Sequence, residues 1–285
     1  MKIYIPTYKR PNTQITYNAL PDKYKDNVVM VVQRQEESLY REKYDCRFMI
    51  VDDDIGLTKT RTQIFEKNRG NKFCMIDDDV TFWRRNQKYV KQVQSGYVDF
   101  KPNMVDITCE SDMDGSKREM NEKDFDEMFE EFNDLLDNGD TYRPDQPIIQ
   151  VSCREQLKPP VGIRTSTNLA SYSCFFFNGV HIDKIFDDID WNMTKVGQDS
   201  MWQLEFLLHG YQIRRSDIFC INSLWWQEGG VAEYRDAKMF NDEHEKFIEK
   251  WPAYCYKTKN MVERKVGEVI DIRYRWRKAF MHGST

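Results

Sequence analysis

Short apolar runs alternate with amphipathic segments along the first 80 residues. The runs are KIYIP (2–6), NVVMVVQ (27–33), RFMIV (47–51) and KFCMI (72–76). Unbroken runs of this kind are typical of strands buried on both faces of a parallel sheet. The segments between them have helical periodicity, so we predict an α/β fold with a Rossmann-like, mostly parallel sheet flanked by helices.

The pattern becomes more mixed after residue 105. Helical stripes at 124–136, 200–210 and 232–251 are interleaved with strand-like runs at 172–180 and 217–226, which predicts a mixed sheet in this half. The segment 154–171 has no clear period and is expected to be a long loop. Residues 256–280 alternate again and predict a hairpin near Gly267 after the last helix.

The composition is that of a soluble globular protein, because 40% of the 285 residues are hydrophobic and 31% are charged. No apolar run reaches the roughly 18 residues of a membrane span, and MKIYIPTYKR begins a strand directly, so we expect no membrane partner and no signal peptide. The 7 cysteines are scattered without a C-x-x-C pair, which favours reduced thiols in a cytoplasmic protein.

The net charge of −5 is unevenly distributed along the chain. Residues 106–140 carry 14 acidic and 3 basic side chains, whereas residues 246–285 carry 10 Lys or Arg and 4 Asp or Glu. The acidic average argues against a simple nucleic-acid coat protein. The C-terminal excess of cations predicts a local basic face.

Three aspartates directly follow the fourth apolar run, in the stretch FCMIDDDVTFW (73–83). Because side chains alternate along an extended backbone, Asp77 and Asp79 are expected on one face and Asp78 on the other. Two neighbouring carboxylates suit Mg²⁺ or Mn²⁺, with the remaining ligand positions left for phosphate and water. The alternative is a solvated turn that binds no metal.

A second aspartate triplet, at 52–54, ends the third run and precedes Gly56. The Asp54 carboxylate can accept hydrogen bonds from a nucleobase or ribose, and Lys59 and Arg61 can pair with phosphate. A capped turn that leads into the next helix is an equally good interpretation on local grounds.

Together these motifs resemble the nucleotide-sugar half of GT-A glycosyltransferases, nearest to the family 2 pattern. The matching stretches are KIYIPTYKRPN, VVQRQEE and VDDDIGLTKTRTQIFEKNRGNKFCMIDDDV, and FFFNGVHIDKIFDDIDWNMTKVGQDSMWQLEFLLHGYQI is similar to the acceptor half. The resemblance implies one GT-A domain with a nucleotide-sugar-binding half (1–105), an acceptor half (106–230) and a C-terminal helix with a basic hairpin (231–285).

The resemblance also implies roles for individual residues. Asp77 and Asp79 would hold Mn²⁺ or Mg²⁺ at the diphosphate of a nucleoside diphosphate sugar, the donor substrate. Asp199 would be the general base, and attack assisted by a single base implies inversion at the sugar; its alternative role is that of a first-turn helix residue. The residues expected around the donor are Thr7, Arg10, Gln33, Asp54, Lys59, Arg61 and Asp78.

The acceptor side carries weaker signals. The stretch SLWWQEGGV places a tryptophan pair beside a glycine pair, which suits stacking on a sugar or a base. Packing of the two tryptophans on opposite faces of a sheet is an alternative. The predicted acceptor-binding residues are Arg164, Asn178, Gly179, Trp225, Trp226, Gly229 and Gly230.

The C-terminal hairpin interleaves aromatic and basic residues, as in YKTK (256–259) and RYRWRK (273–278). Such interleaving can follow a phosphate backbone and stack bases, whereas charges on an edge strand also prevent aggregation. The IPTYKRPN start and the IDIRYRWRK end are similar to phage-encoded glycosyltransferases that modify hydroxymethylated pyrimidines in DNA. This similarity implies a DNA acceptor and the cytoplasm of an infected host.

Three rival functions remain open from the sequence. A glycosyltransferase could act on a polysaccharide, protein or lipid-linked acceptor, although a lipid acceptor predicts a basic amphipathic helix that is not evident. A metal-dependent nucleotidyltransferase or phosphohydrolase also uses clustered aspartates, but the former predicts a glycine-rich phosphate loop that PTYKRPN lacks. A non-catalytic binding protein would not require Asp199.

Overall fold

The computed structural model describes residues 1–85, 117–139, 146–155, 165–224 and 236–284. Its N-terminal part is the predicted alternation of parallel strands and helices. The strands are β1 (Lys2–Pro6), β2 (Val28–Gln33), β3 (Arg47–Val51) and β4 (Lys72–Ile76), and the intervening helices are α1 (Ile15–Ala19), α2 (Asp22–Lys25), α3 (Glu37–Arg41) and α4 (Gly56–Lys67).

The four N-terminal strands are parallel and lie in the order β3-β2-β1-β4. Their carboxyl ends therefore meet at one side of the sheet, which we call the carboxyl edge. Loops that follow such strands are where open α/β sheets bind their ligands.

The remaining strands of this sheet continue from β4. They are, in spatial order, β9 (Cys174–Asn178), β7 (Ile148–Glu155), β10 (Gln212–Ser223), β5 (Val80–Arg85) and β6 (Lys117–Glu119), with β8 (Thr165–Thr167) also paired to β10. Because β9 is antiparallel to β4, the start of β9 lies at the carboxyl edge, beside the end of β4. The predicted α/β fold, parallel in its first half and mixed in its second, is confirmed.

Helices cover both faces of the sheet and a hairpin follows them. The helices are α5 (Glu122–Asn138), α6 (Gly179–Ile185), α7 (Gln198–Leu208) and α8 (Ala237–Lys250), and the hairpin consists of β11 (Cys255–Arg264) and β12 (Gly267–Tyr274). The chain then forms α9 (Trp276–Gly283), which the alternating pattern had assigned to the hairpin. Within the described residues, no helix has the length and apolar character needed to cross a bilayer.

Each face of the sheet has its own apolar core, because alternate residues of the buried strands point to opposite sides. On one face, Tyr4 and Phe73 pack in a cluster with Trp202 of α7 and Phe280 of α9. On the other face the apolar stripe of α5, including Phe132, packs against the alternate strand residues. The predicted burial on both faces is therefore observed for β1, β2 and β4, whereas β3, at the edge of the sheet, is only partly buried.

Candidate active site at the carboxyl edge

Backbone strain concentrates in the loops of the carboxyl edge. Among the non-glycine residues described, Lys9, Asp54 and Ser173 there adopt left-handed φ angles of 54°, 54° and 62°. Such angles are rare outside glycine, and they are maintained where the surrounding structure fixes them, often at functional sites. The Asp77 amide donates to the Ser173 carbonyl at 2.8 Å, which joins the β4 loop to the start of β9.

The aspartate triplet forms a turn between β4 and β5, so the alternation expected for an extended chain ends at Ile76. Asp78 is only 5% exposed. Its carboxylate accepts hydrogen bonds from the Thr7 hydroxyl at 2.7 Å and from the Arg10 guanidinium at 2.5 Å. Asp78 thus points into the β1 loop and contacts two other residues expected at the donor, and its own donor-binding role stays a prediction.

Asp77 and Asp79 have different partners but influence each other. Asp79 is 9% exposed and accepts from the Ser223 hydroxyl at 3.1 Å and from Arg10 at 3.5 Å, while Asp77 accepts from Arg61. Burial, together with the negative charge of Asp77, raises the pKa of the Asp79 carboxyl. Burial also raises the pKa of Asp78, to about 6. A cation would relieve the repulsion between these groups.

The donor set for a metal is small. Among the described residues, no cluster of three or more His, Cys, Asp and Glu side chains forms a complete metal site. Mg²⁺ is commonly held by one or two protein carboxylates, with phosphate and water as the other ligands. The Asp77 and Asp79 carboxylates fit that mode and would need a phosphate-bearing substrate to complete it.

A buried hydroxyl network shapes the β1 loop. The Tyr40 hydroxyl accepts from the Arg10 amide at 2.9 Å and lies 3.0 Å from the Thr7 hydroxyl. The Gln14 side-chain amide donates to the Thr7 hydroxyl at 2.7 Å and to the Arg10 carbonyl at 3.0 Å. Sequence reasoning missed Tyr40 and Gln14, since neither belongs to a strand-end motif.

The β2 and β3 loops are held together in the same way. The Gln33 side-chain oxygen accepts from the Asp54 amide at 3.1 Å and from the Gln35 side chain at 2.9 Å. Asp53 accepts from the Gln35 amide at 2.9 Å. Gln33 is buried and Asp54 is exposed, so Gln33 fixes the loop while the Asp54 carboxylate remains accessible.

Arg61 and Lys59 lie in the first turns of α4 but on different sides. Residues that are two positions apart in an α-helix, as these are, lie about 200° apart around the helix axis. Arg61 is 4% exposed and donates to Asp77, with its guanidinium 5.5 Å from the centre of the Trp202 ring. Lys59 is exposed. Arg61 therefore joins the aspartate turn, and Lys59 does not.

Asp199 lies in the first turn of α7, after Gly197, which has a φ of +73°. Side chains three residues apart on a helix share a face, so Asp199 lies on the side of α7 that bears Trp202. Because Trp202 contacts Arg61, and Arg61 bonds to Asp77, this face of α7 is directed toward the aspartate turn. Asp199 is half-buried.

A second contact ties the start of α7 to the carboxyl edge. The Gln203 side chain donates to the Asp199 carbonyl at 2.8 Å and to the Ser171 carbonyl at 2.9 Å. The next residue, Tyr172, has its pKa raised to about 12 by burial and by the negative charge of Asp199. The Ser173 carbonyl accepts from the Asp77 amide. The short segment 171–173 therefore connects the start of α7, which carries Asp199, with the aspartate turn.

Other predicted residues are not brought to this site. Asn178 is the last residue of β9 and Gly179 is the first of α6. Asn178 pairs with Lys72 at the start of β4, on the edge opposite Asp77. Asn178 donates to the Leu136 carbonyl and caps α6. The antiparallel direction of β9, which the sequence did not reveal, accounts for this placement. Five further acceptor-binding predictions lie outside the described residues, namely Arg164, Trp225, Trp226, Gly229 and Gly230.

The loops of the parallel strands meet at the carboxyl edge, two aspartates lie there, and a further carboxylate lies at the start of α7. This arrangement is the one expected of a sugar-nucleotide-dependent transferase. Residues 1–220 match the TET-associated glycosyltransferase family, and the chain belongs to that family. The glycosyltransferase resemblance predicted from the motifs is thereby confirmed.

Curated relatives match a shorter stretch. The chain is 31% identical over 84 residues to the beta-glucosyl-HMC-alpha-glucosyl-transferases of Enterobacteria phages T2 and T6. The match covers 28% of this chain and 29% of each relative.

Solved structures show only distant similarity. The 1–349 fragment of S. aureus TarS aligns with a TM-score of 0.40 and 13% identity over 77% of this chain and 60% of that one. The 4-diphosphocytidyl-2C-methyl-D-erythritol synthase of Anaerococcus prevotii aligns with a TM-score of 0.40 and 12% identity, over 75% of this chain and 85% of that one. No detailed equivalence follows from scores at this level.

Proposed function

We propose that this protein transfers a sugar from a nucleoside diphosphate sugar to a hydroxyl group of a modified pyrimidine in DNA. The acceptor is the hydroxyl of a 5-hydroxymethylpyrimidine or, in its glycosylated form, a hydroxyl of the sugar already attached. The observation that carries the transfer chemistry is the chain of contacts from Asp77 through Arg61 to the α7 face that bears Asp199. A DNA acceptor is supported by the family match and by the HMC and glucosyl units in the phage relatives' name.

The donor would lie over the loops of the carboxyl edge. Asp54 is exposed there for the nucleoside, while Gln33 fixes the loop that presents it. Arg61 is held between Asp77 and Trp202 and can turn its charge toward the diphosphate. The Thr7, Arg10 and Asp78 group keeps the β1 loop in shape beneath the donor.

Asp199 would act as the general base. Its carboxylate accepts the proton of the acceptor hydroxyl while that oxygen bonds to the anomeric carbon and the bond from this carbon to the diphosphate breaks. Attack from the face opposite the leaving group inverts the sugar. A divalent cation held by Asp77 and Asp79 would supply Lewis-acid stabilisation of the charge on the diphosphate.

The decisive experiment supplies a duplex containing 5-hydroxymethylcytosine, or its glucosylated form, with Mn²⁺ and a panel of nucleoside diphosphate sugars. Nucleosides are then analysed by mass spectrometry. We expect one hexose or pentose mass to be added with one of the donors. Failure to add a sugar with every donor, while free donor is still hydrolysed, would overturn the DNA acceptor and leave the transferase assignment.

The Asp199→Asn variant tests the base in the same assay. We expect transfer to fall by about 100-fold or more, within the range seen when a general base is removed. Asp188→Asn is a matched control, since Asp188 is exposed and lies ahead of the same helix. Retention of full transfer by Asp199→Asn would exclude Asp199 as the base.

A further inference from the structure

We propose that the C-terminal hairpin is the surface that binds the phosphate backbone of the DNA duplex and presents the target nucleotide to the carboxyl edge. This inference rests on the proposed DNA acceptor and deepens it. The basic hairpin surface consists of Lys257, Lys259, Arg264, Lys265, Arg273, Arg275, Arg277 and Lys278, all of them exposed.

Charge distinguishes this surface from the rest of the chain. Residues 255–284 carry 8 Lys or Arg and 3 Asp or Glu, a balance of +5, whereas the chain as a whole has a net charge of −5. The other residues therefore sum to −10. A cationic surface on an acidic molecule matches a polyanion and would repel it elsewhere, which orients the encounter.

The hairpin also exposes side chains that it does not need for its own packing. Strand β12 packs on α8 through Val269 and Ile270, which are buried. Strand β11 lies on the outside and pairs only with β12 among the described strands. Tyr256 and Met261 of β11 are each 42% exposed, and the Arg275 guanidinium lies 4.8 Å from the centre of the Tyr256 ring. Such aromatic and cationic pairs suit sugar–phosphate and base contacts.

The position of the hairpin connects it to the proposed chemistry. At its turn end, Val269 packs with Val196, which lies three residues before Asp199. Tyr274, at its other end, bonds to Ser200, the residue after Asp199. The positive charge of Arg264 acts on the Tyr172 hydroxyl. Tyr172 directly precedes Ser173, whose carbonyl accepts from the Asp77 amide. DNA bound along the hairpin would thus lie next to the carboxyl edge.

The hairpin lies outside the part of the chain that defines the family. The family match ends at residue 220 and the hairpin begins at Cys255. The donor loops and Asp199 all fall inside the match. A base in a duplex must be turned out of the stack before its hydroxymethyl group can be reached, and a backbone-binding element attached next to the site would hold the flanking duplex during that step.

The charges could instead serve only to keep an exposed edge strand from aggregating. That role is served by cations, anions or a mixture of both, and it requires charge only on the edge strand. Here the cations continue beyond β11 through Arg273 on β12 to Arg277 and Lys278 on α9. The extension over three elements with one dominant sign favours a polyanionic partner.

The test compares duplex binding by Lys259→Gln/Arg277→Gln with binding by the unaltered protein, measured by fluorescence anisotropy over a range of NaCl concentrations. Each phosphate contact contributes a slope of about −0.9 to the dependence of log K on log salt. We expect the double variant to bind about 10-fold more weakly and to have a slope shallower by about 2. Modified and unmodified duplexes should be affected equally.

The matched control is Lys67→Gln/Lys123→Gln, which removes the same charge from exposed positions on α4 and α5. It should keep the affinity and slope of the unaltered protein, and donor hydrolysis should be unchanged in both double variants. If the unaltered protein glycosylates DNA but the hairpin variant binds with an unchanged slope, the inference is wrong and the proposed function stands. Binding to phosphatidylserine vesicles and not to duplex would overturn both.

Discussion

At the scale of single residues, the three consecutive aspartates have three different surroundings. Asp78 is enclosed by Thr7 and Arg10, Asp79 is shared between Arg10 and Ser223, and Asp77 is bound by Arg61. The sequence predicted that this triplet was special because carboxylates after a buried strand are costly. The sequence could not predict which partner binds which aspartate, because all of these partners come from other parts of the chain.

Exchange of Asp77 or Asp79 for Asn tests their role as cation ligands. We expect each variant to lose transfer by about 100-fold, because the charge on the leaving diphosphate would lose its stabilisation. Mn²⁺ binding, followed by electron paramagnetic resonance with nucleoside diphosphate present, should weaken in parallel. The midpoint of urea unfolding should fall for Asp77→Asn, because the buried Arg61 guanidinium loses its charged partner, so transfer is compared per folded molecule.

Asp126→Asn, a change of an exposed aspartate on α5, is the control for this charge effect. Its transfer rate and Mn²⁺ binding should remain unaltered. Unchanged transfer in both Asp77→Asn and Asp79→Asn would mean that the triplet is only a turn.

At the scale of elements, the junction between β9 and α6 explains a residue that sequence reasoning assigned to the acceptor. A Cβ atom on Gly179 would lie 2.1 Å from the Asn71 carbonyl oxygen and 2.2 Å from that of Asn68. The Gly179 backbone also pairs with Gly70 and Asn71. Glycine is therefore needed at this position for close packing of two backbone segments.

The Gly179→Ala variant should be destabilised by about 3 kcal/mol, the upper end of the usual cost of overpacking. Urea unfolding measures this change. Val180→Ala is the control, since Val180 is 48% exposed, and it should shift the unfolding free energy little. A loss of transfer per folded Gly179→Ala molecule, without a loss of stability, would instead favour the acceptor role.

The contact between α8 and the hairpin is expected to depend on pH. The His244 ring lies 2.8 Å from the Ile270 carbonyl through Nδ1, and this nitrogen must donate because the carbonyl can only accept. Burial lowers the pKa of His244 and outweighs the hydrogen bond to the Ile270 carbonyl, which raises it. The charge of Arg264 also lowers this pKa, while the charges of Asp271 and Glu243 raise it. Folding therefore favours the neutral His244 ring. The stability that this ring contributes is fully present above the unfolded pKa of 6.5, and it is lost as the pH falls through the lower pKa of the folded protein.

The His244→Gln variant should be less stable than the unaltered protein by about 1 kcal/mol at pH 8, through the altered hydrogen bond. The difference should shrink as the pH is lowered from 7 toward 5. Urea unfolding at several pH values measures it, with His282→Gln, at an exposed position on α9, as the control. A difference that stays constant with pH would contradict this account of His244.

At the scale of the whole molecule, the core on one face of the sheet joins all three of the segments that the sequence suggested. It contains Phe73 from the first, Trp202 from the second and Phe247, Trp251 and Phe280 from the third. Gly210 and Gly283 bring the ends of α7 and α9 into backbone contact. The hairpin is thus attached to the body that carries Asp199, although the division into segments stays a prediction.

The sequence by itself determined the local features of this protein. Unbroken apolar runs specify the buried parallel strands, amphipathic stripes specify α4, α5, α7 and α8, and the aspartates at strand ends mark the carboxyl edge, where we predict ligand binding. Strands β5, β6, β7 and β8 were missed, and β8 lies within the segment 154–171 that was predicted to be a loop. Runs such as VTFWRR and IIQVSCRE lack a period long enough to be distinguished from loops.

Only the tertiary structure decided which residues meet. Tyr40 reaches Thr7 and Arg10, Trp202 reaches Arg61, and Asn178 is carried away from the aspartates by the antiparallel course of β9. Periodicity fixes the side of its own element on which a residue lies, but it contains no information about strand order or direction. Those are set by the packing of distant apolar faces, so the contacts that link Asp77 through Arg61 to the α7 face bearing Asp199 follow from the fold and from no single stretch of sequence.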